Sequence, residues 1–309
     1  MNEATNEIID ETSRANGIGY MDGRYMPRER LALPMTDIGF KLCDMTYDAI
    51  HVRNGAFFRL DEHLDRFARS IEKRRFNFAP SREEVRQVLH QCVRQSGLRD
   101  SMTMLIATRG DPQGPTLDLR NCKSRFIAWA APYYRIVTER EMTQGVAVAI
   151  SSVPRVSPDS IDPTVKNFAR IDFADALFDA YERGCEHAIL LDRDGFVTEG
   201  RGWNLFALYG GVLVTPDNGV LEGITRRTVL ALCDRSNVTA KVAKLSAAEL
   251  LDADEVFMAS TAGGIMPIRK IDDRVIGDGP PGPVTRRLSE AYWALHDEPG
   301  YSSAVNYDA

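Results

Sequence analysis

Long apolar runs are missing from this chain. No stretch of about 18 apolar residues occurs, which excludes a membrane-spanning helix. Cysteine is sparse: Cys43, Cys92, Cys122, Cys185 and Cys233 are scattered without a C-x-x-C pair. That pattern builds neither a disulfide framework nor a zinc site, and reads as reduced thiols in a cytoplasmic protein. Neither sign of charge dominates, with 38 Lys+Arg against 44 Asp+Glu and a net charge of −6, so a nucleic-acid backbone binder is not indicated. The opening MNEATNEIIDETSR is acidic and polar, unlike a secretory signal or a transit peptide. The five histidines show no ligand spacing, and H-E-x-x-H, Walker and G-x-S-x-G signatures are absent. Gly200-x-Gly202 lacks the third glycine of a dinucleotide loop. Metal and hydride chemistry therefore have no visible support.

What is present is enough chain, 309 residues, for two domains. Residues 1–16 lack apolar periodicity and read as a mobile lead-in. The pattern then predicts a small N-terminal domain over 17–135, an interdomain linker over 136–145 and a larger C-terminal domain over 146–309. Strands are expected at 18–25, 48–52 and 56–59, with Asn54-Gly55 as the strongest hairpin signal because both residues tolerate positive φ. A helix over 60–76 follows, then one opened by a Ser81/Glu84 capping box and stopped by Gly97. Strands at 102–108 and 125–130 flank a loop over 110–124, long enough to act as a lid. Farther on come a strand at 145–151, a helix over 167–183, paired strands from 187 to 215, a helix over 225–235, a strand at 238–245, a Ser246/Glu249-capped short helix, an apolar strand at 255–260 and a helix over 284–295. Helices and strands mix without regular βαβ alternation, so the expected class is α+β.

Lysine is the rare basic residue, seven of the 38. Lys166, in Ile161-Asp-Pro-Thr-Val-Lys-Asn-Phe168, sits at a proline-marked strand end ahead of a helix. A lysine desolvated by apolar walls becomes a nucleophilic amine suited to Schiff-base chemistry; an ordinary surface lysine is the plain alternative. Glu199 lies where an apolar strand bends through Gly200 and Gly202, glycines that would let backbone approach a flat ligand. A carboxylate there can hold a pyridine nitrogen protonated, or it can cap a turn. Gly219–Arg227 is a glycine turn feeding a helix, whose free N–H groups suit a phosphate. Ser260-Thr261-Ala262-Gly263-Gly264 is a second nest of donors. Arg66 can add a guanidinium fork. Together these features point to pyridoxal 5'-phosphate (PLP).

At these residues the chain resembles the class IV, or fold type IV, PLP-dependent aminotransferases, over about residues 19–293. The stretches that carry the resemblance are Cys43-Asp-Met-Thr-Tyr-Asp48, Phe58-Arg-Leu-Asp-Glu-His-Leu-Asp-Arg66, Ser160-Ile-Asp-Pro-Thr-Val-Lys-Asn167, Thr198-Glu-Gly-x-Gly-x-Asn204, Gly223-Ile-Thr-Arg226 and Thr261-Ala-Gly-Gly-Ile-Met-Pro267. The resemblance implies that Lys166 is the catalytic Schiff-base lysine and proton carrier. It implies that Glu199 partners the ring nitrogen and that Arg66, Ile224 (through its backbone N–H), Thr225 and Thr261, with the neighbouring Ser260, hold the phosphate. Tyr47 would line the substrate pocket. A small α/β domain joined to a larger one, working as a homodimer, is the implied architecture.

In wording the motifs look closest to the (R)-selective amine transaminases, with D-amino-acid and branched-chain aminotransferases as relatives. The implied reaction moves an amino group from an (R)-configured primary amine to a keto acid such as pyruvate. The alternatives are a D-amino-acid or branched-chain aminotransferase, a mixed activity, or a PLP lyase resembling aminodeoxychorismate lyase. The aligned substrate-contact positions depart from all branches. Leu42 stands where the (R)-amine branch has a histidine, Met102 and Met104 where it has an aromatic and a glutamate, Pro115 where it has a loop arginine, and Arg170 where it has a tryptophan. Gly114 and Met104 stand where the D-amino-acid and branched-chain branches have carboxylate-binding arginines, and a buried carboxylate without a donor costs about several kcal/mol. The expected substrate pocket comprises Tyr47, Met102, Met104, Phe168, Arg170, Trp203, Ala262 and Arg120, with Arg53, Arg120, Arg170 or Arg201 supplying the charge for the acceptor.

Overall fold

The computed structural model describes residues 10–115, 117–279 and 281–308; positions 1–9 of the expected lead-in lie outside the described residues. In chain order the elements begin with α1 (Glu11–Asn16), β1 (Ile18–Met21), β2 (Arg24–Pro27), α2 (Ile38–Leu42), β3 (Met45–Arg53), β4 (Ala56–Phe58), α3 (Leu60–Arg74), α4 (Arg82–Ser96), β5 (Ser101–Pro112) and β6 (Cys122–Pro132). They continue with α5 (Glu139–Gln144), β7 (Val146–Ile150), α6 (Ile171–Glu182), β8 (His187–Leu191), β9 (Val197–Gly200), β10 (Asn204–Tyr209), β11 (Val212–Thr215) and α7 (Ile224–Arg235). The last are β12 (Thr239–Val242), α8 (Ala247–Leu251), β13 (Glu255–Ser260), β14 (Gly264–Ile271), β15 (Arg274–Val275), α9 (Pro283–Ala294) and β16 (Ser302–Ala304). The class is α+β, as expected.

Two compact units divide the chain. One holds Met1–Tyr134, Val165–Phe168 and Pro299–Ala309, and the other Arg135–Thr164 and Ala169–Glu298. Several boundaries differ from the sequence reading. Residues 11–16 of the expected mobile lead-in form α1, started by Asp10, whose side chain accepts Ser13 N–H at 2.8 Å. Residues 136–145 are no linker: a Thr138/Glu141 capping box starts α5 there, and Ile136 N–H donates to the Ala262 carbonyl at 3.0 Å. The C-terminal residues return to the first unit, where β16 gives β4 a second strand partner. The helix expected over 167–183 starts at Ile171, because Asn167 is extended and bridges to Thr46.

In the first unit an antiparallel sheet runs in the order β16-β4-β3-β5-β6-β1-β2. Asn54 and Gly55 turn β3 into β4 with φ of 51° and 77°, as their residue types require. The Ser81/Glu84 capping box and left-handed Gly97 delimit α4. Alternation along the strands separates two faces. Ile50, Val52, Leu105 and Ala107 pack under α3 and α4 against Leu64, Phe67, Leu89 and Val93. Tyr47, Ile106 and Ile127 occupy the opposite face, joined by Met104, Trp129 and Phe168. The expected 110–124 loop is shorter than its sequence pattern, because β5 and β6 stay paired past a bulge through Asp111–Lys123 and Pro112–Cys122.

The second unit's sheet runs β12-β11-β10-β13-β14-β7-β8-β9, mixing antiparallel with parallel pairs at β11–β12, β14–β7 and β7–β8. One face carries Val148, Ile189, Leu205, Met258 and Met266 in a continuous core. On the other, Phe173, Ala176 and Ala180 of α6 pack on Ala149, Ala188 and Leu190. Buried Glu255 holds the start of α9, accepting Val284 N–H at 3.1 Å and Thr285 N–H at 2.7 Å.

Candidate active site

The residues singled out by sequence fall into two sets, one in each unit. In the first unit, the extended segment at Lys166 is tied to β3 twice: the Lys166 carbonyl accepts Tyr47 N–H and the Thr46 hydroxyl, both at 2.9 Å. That anchoring fixes the half-buried side chain, whose Nζ lies 4.6 Å from the Tyr47 ring centre. The Phe168 ring lies 4.6 Å from the same ring. Met104 and Trp129 are cross-strand partners on this face. The amine therefore stands at an apolar, aromatic wall. Met102 shares the register face two residues from Met104 and is buried opposite His51.

Arg66 projects from α3 onto the other face of β3. Its Nε and Nη2 donate to the two oxygens of Asp48 at 2.8 and 2.7 Å. His63, one turn earlier, meets the same carboxylate through Nδ1 at 2.7 Å. All three side chains are buried. Burial alone would raise the Asp48 carboxyl, but the Arg66 guanidinium overrides it and holds Asp48 well below the usual carboxylate range. Burial pushes His63 down against the pull of Asp48, and Arg66 and Lys166 push it the same way, so His63 is neutral and donates Nδ1–H to Asp48. Asp48 thus fixes one edge of the Arg66 fork. Sequence reading found Arg66 but neither partner, although both lie inside the quoted motifs.

In the second unit Glu199 sits at the end of β9, 6% exposed. Among the donors that face it are Leu221 N–H at 2.9 Å and Asn204 Nδ2 at 3.2 Å on Oε2, and Arg155 Nη2 at 3.5 Å on Oε1. A buried acid surrounded by donors is a carboxylate. Asn204 also donates to the Leu221 carbonyl at 2.9 Å, which locks the strand to the turn before α7. Gly223 caps α7 without any side-chain bond, leaving the first-turn N–H groups of Ile224 and Thr225 at the positive end of a 12-residue helix. A Cβ at Gly223 would come 2.1 Å from Asn204 Oδ1, so the glycine is required. Thr261 follows the end of β13.

Several expectations are corrected. Trp203 faces the core of the second unit, 3% exposed, and does not line an opening. The absent Cβ of Gly200 is replaced by that indole, since a Cβ would lie 2.1 Å from its ring, so this glycine serves packing and not ligand approach. The Ser260 hydroxyl donates to the Gly202 carbonyl at 2.8 Å and accepts Ala262 N–H at 3.2 Å, which is turn architecture and not a free phosphate donor. Ala262 is buried beside it. Of the arginines, Arg120 is exposed and paired with Asp118 through Nη2 at 2.7 Å. Arg170 caps α6 with its guanidinium 5.0 Å from the Phe173 ring centre, Arg53 ends β3 and Arg201 is exposed. No metal-binding group of His, Cys, Asp or Glu occurs among the described residues.

These donor sets fit PLP: an amine at an aromatic wall, a buried carboxylate ringed by donors, and an uncapped helix start held open by an obligatory glycine. Comparison with known proteins gives the same answer. A sequence model of the family described as amino-transferase class IV matches residues 45–271. A putative branched-chain-amino-acid aminotransferase of Methanocaldococcus jannaschii is 32% identical over 88% of this chain and 94% of its own length. The D-alanine aminotransferase of Bacillus licheniformis is 30% identical over 87% and 94%. A branched-chain-amino-acid aminotransferase-like protein of Arabidopsis thaliana is 30% identical over 92% of this chain, which spans only 51% of that relative. Among solved structures, the branched-chain amino acid aminotransferase from Thermobaculum terrenum in its PLP form superposes with a TM-score of 0.85 at 25% identity, covering 94% of this chain and 99% of its own. The corresponding enzyme of Escherichia coli gives 0.84 at 26% identity, covering 94% and 99%.

Proposed function

This chain belongs to the class IV aminotransferases, PLP-dependent enzymes of fold type IV, and from that premise we propose that it transfers amino groups between apolar amino acids, branched-chain or D-configured, and keto acids. The relatives support amino-acid donors. The observation that carries the apolar preference is the wall of Tyr47, Met104, Trp129 and Phe168 beside Lys166.

When bound, PLP supplies an aldehyde carbon that takes up the amino group and a ring that withdraws electrons from it. Lys166 would hold PLP through its ε-amine and would take and return the proton at the substrate Cα. The Tyr47 ring limits where the amine can stand. Glu199 would hold a proton at the ring nitrogen. In the second unit the N–H groups of Ile224 and Thr225, with Thr261, would bind the phosphate; in the first unit Asp48 orients the Arg66 fork, which suits an anion.

A second reading, an (R)-configured primary amine as donor, is favoured by one observation: Met104 puts no cation on the wall, so a donor without a carboxylate leaves no buried charge unpaired. Half-reaction spectroscopy separates the two. Loss of the cofactor's visible band with L-leucine or D-alanine supports the amino-acid reading. Response to (R)-1-phenylethylamine alone, with neither amino acid nor the (S)-amine active, overturns it in favour of the second. The proposal includes a homodimer, supported by exposed Ile171 and Phe178 on α6.

A further inference from the structure

Arg155 carries an arrangement that the roles assigned so far leave unused. It lies just after β7 and is 8% exposed. Its backbone N–H donates to the Leu191 carbonyl at 2.8 Å, and its guanidinium carbon stands 4.3 Å from the Phe173 ring centre. Nη1 donates to Asp172 Oδ2, while Nη2 reaches Glu199 Oε1 at 3.5 Å. Its Nε–H has no partner among the described residues, so the two terminal nitrogens carry all of its ionic bonding. Asp172 is itself fixed by two backbone donors, Phe173 N–H at 2.9 Å and Val156 N–H at 3.0 Å, at the first turn of α6.

One buried guanidinium is therefore shared by two buried carboxylates. Its single positive charge is divided between them, and the closer bond goes to Asp172. The share that Asp172 draws is withheld from Glu199, whose carboxylate keeps that much more of its own charge for any cation brought beside it. In a low-dielectric interior such a difference is felt strongly. Asp172 is closed off by Arg155 and its two backbone donors, so an added cation responds to the Glu199 side of the cluster. A protonated pyridine nitrogen is such a cation.

We propose that Arg155 is a positioning residue which, by dividing its charge between Asp172 and Glu199, sets how strongly Glu199 holds the proton on the cofactor's ring nitrogen. Asp172 acts through Arg155 without touching the cofactor. This rests on the reading of Glu199 as the ring-nitrogen partner.

The signs are opposite and hence diagnostic. Asp172→Asn leaves the guanidinium wholly to Glu199 and weakens the hold on the ring proton. Arg155→Gln removes the shared positive charge and strengthens it. The test uses the full-length protein loaded with PLP carrying 15N in the ring, whose nitrogen shift reads protonation directly, together with the dissociation constant of PLP. The expected result is a shift toward the unprotonated value in Asp172→Asn with cofactor binding weakened about tenfold. Arg155→Gln should hold the protonated value to higher pH than wild type. Should Arg155→Gln fail to fold, Arg155→Lys, which keeps the charge but not the fork, serves with Asp172→Asn: it should fall between wild type and Asp172→Asn in shift. Shifts unchanged in both variants, or displaced in the same direction in Asp172→Asn and Arg155→Gln, overturn the proposal. Glu199→Gln keeps the two failures apart, since a ring nitrogen still protonated in that variant overturns the Glu199 reading itself.

Discussion

The Lys166 carbonyl accepts the Tyr47 backbone N–H at 2.9 Å while the Lys166 Nζ stands 4.6 Å from the Tyr47 ring centre. One strand residue thus fixes both the backbone and the side chain of the lysine. The aromatic wall shields one side of the half-buried amine from water, which suits the nucleophile and proton carrier proposed for Lys166.

Lys166→Ala should lower turnover by on the order of 10²- to 10⁴-fold, the scale of a lost acid–base group, and abolish any covalent link to PLP. Because the tie to β3 runs through the backbone, the fold should survive. Circular dichroism and borohydride trapping of cofactor check it: normal turnover, or cofactor still trapped by reduction, would place the linkage elsewhere.

Glu199→Gln retains the shape and the bond from Leu221 N–H but exchanges a carboxylate for an amide, which cannot keep the ring nitrogen protonated. Turnover should fall on the order of a hundredfold, the scale of one preorganised electrostatic contact, with PLP still bound. Steady-state rates with the best donor decide it, and an unchanged kcat would remove Glu199 from the reaction.

Much of this was legible in the sequence, and the limit has a physical form. Lys166, Glu199 and the Gly223-Ile-Thr turn are local: proline, bending glycines and a helix start announce them within a few residues. Asp48, His63 and Arg155 are not, because a buried charge shows only when its partner is known, and Asp48 meets Arg66 through the packing of α3 on β3. Trp203 is illegible for the same reason, since an aromatic close to a candidate glutamate looks like a pocket wall until strand geometry turns it into the core. The pairing of Arg120 with Asp118 is likewise illegible, since it depends on the local turn in which the Asp118 side chain also accepts Arg120 N–H at 3.0 Å.

Buried His63 predicts acid sensitivity. Burial lowers its proton affinity in the folded state below the ordinary 6.5, so its contribution to stability is complete above that pH and is lost as pH falls below it. His90 and His187 are displaced in the same direction by burial. Wild type should therefore lose stability on acidification below about pH 6.5. His63→Gln, which keeps a donor for Asp48, should lose less over the same window in urea denaturation. An identical pH dependence in the two proteins would mean that His63 does not take up a proton on unfolding.

On the proposed function, selectivity should turn on Met104 and Arg120. Met104 and Ile106 lie two apart on β5 and so share the face that bears Tyr47, and neither of these two soft apolar side chains offers a substrate carboxylate a donor. Arg120 belongs to the turn before β6, and its exposed fork is engaged by Asp118, whose carboxyl that bond holds below its usual range. An exposed ion pair is held weakly, so a keto-acid carboxylate can take the place of Asp118 at little cost. Arg120→Ala should then raise the KM for pyruvate about three- to tenfold while the first half-reaction with a neutral-tailed amine keeps its rate, because uniform binding of the acceptor alone is lost. Asp118→Asn, which frees the same fork, should move KM the other way. Equal losses in both half-reactions would show that Arg120 supports the turn and nothing more; no change in either would move the acceptor's charge partner to Arg53, Arg170 or Arg201.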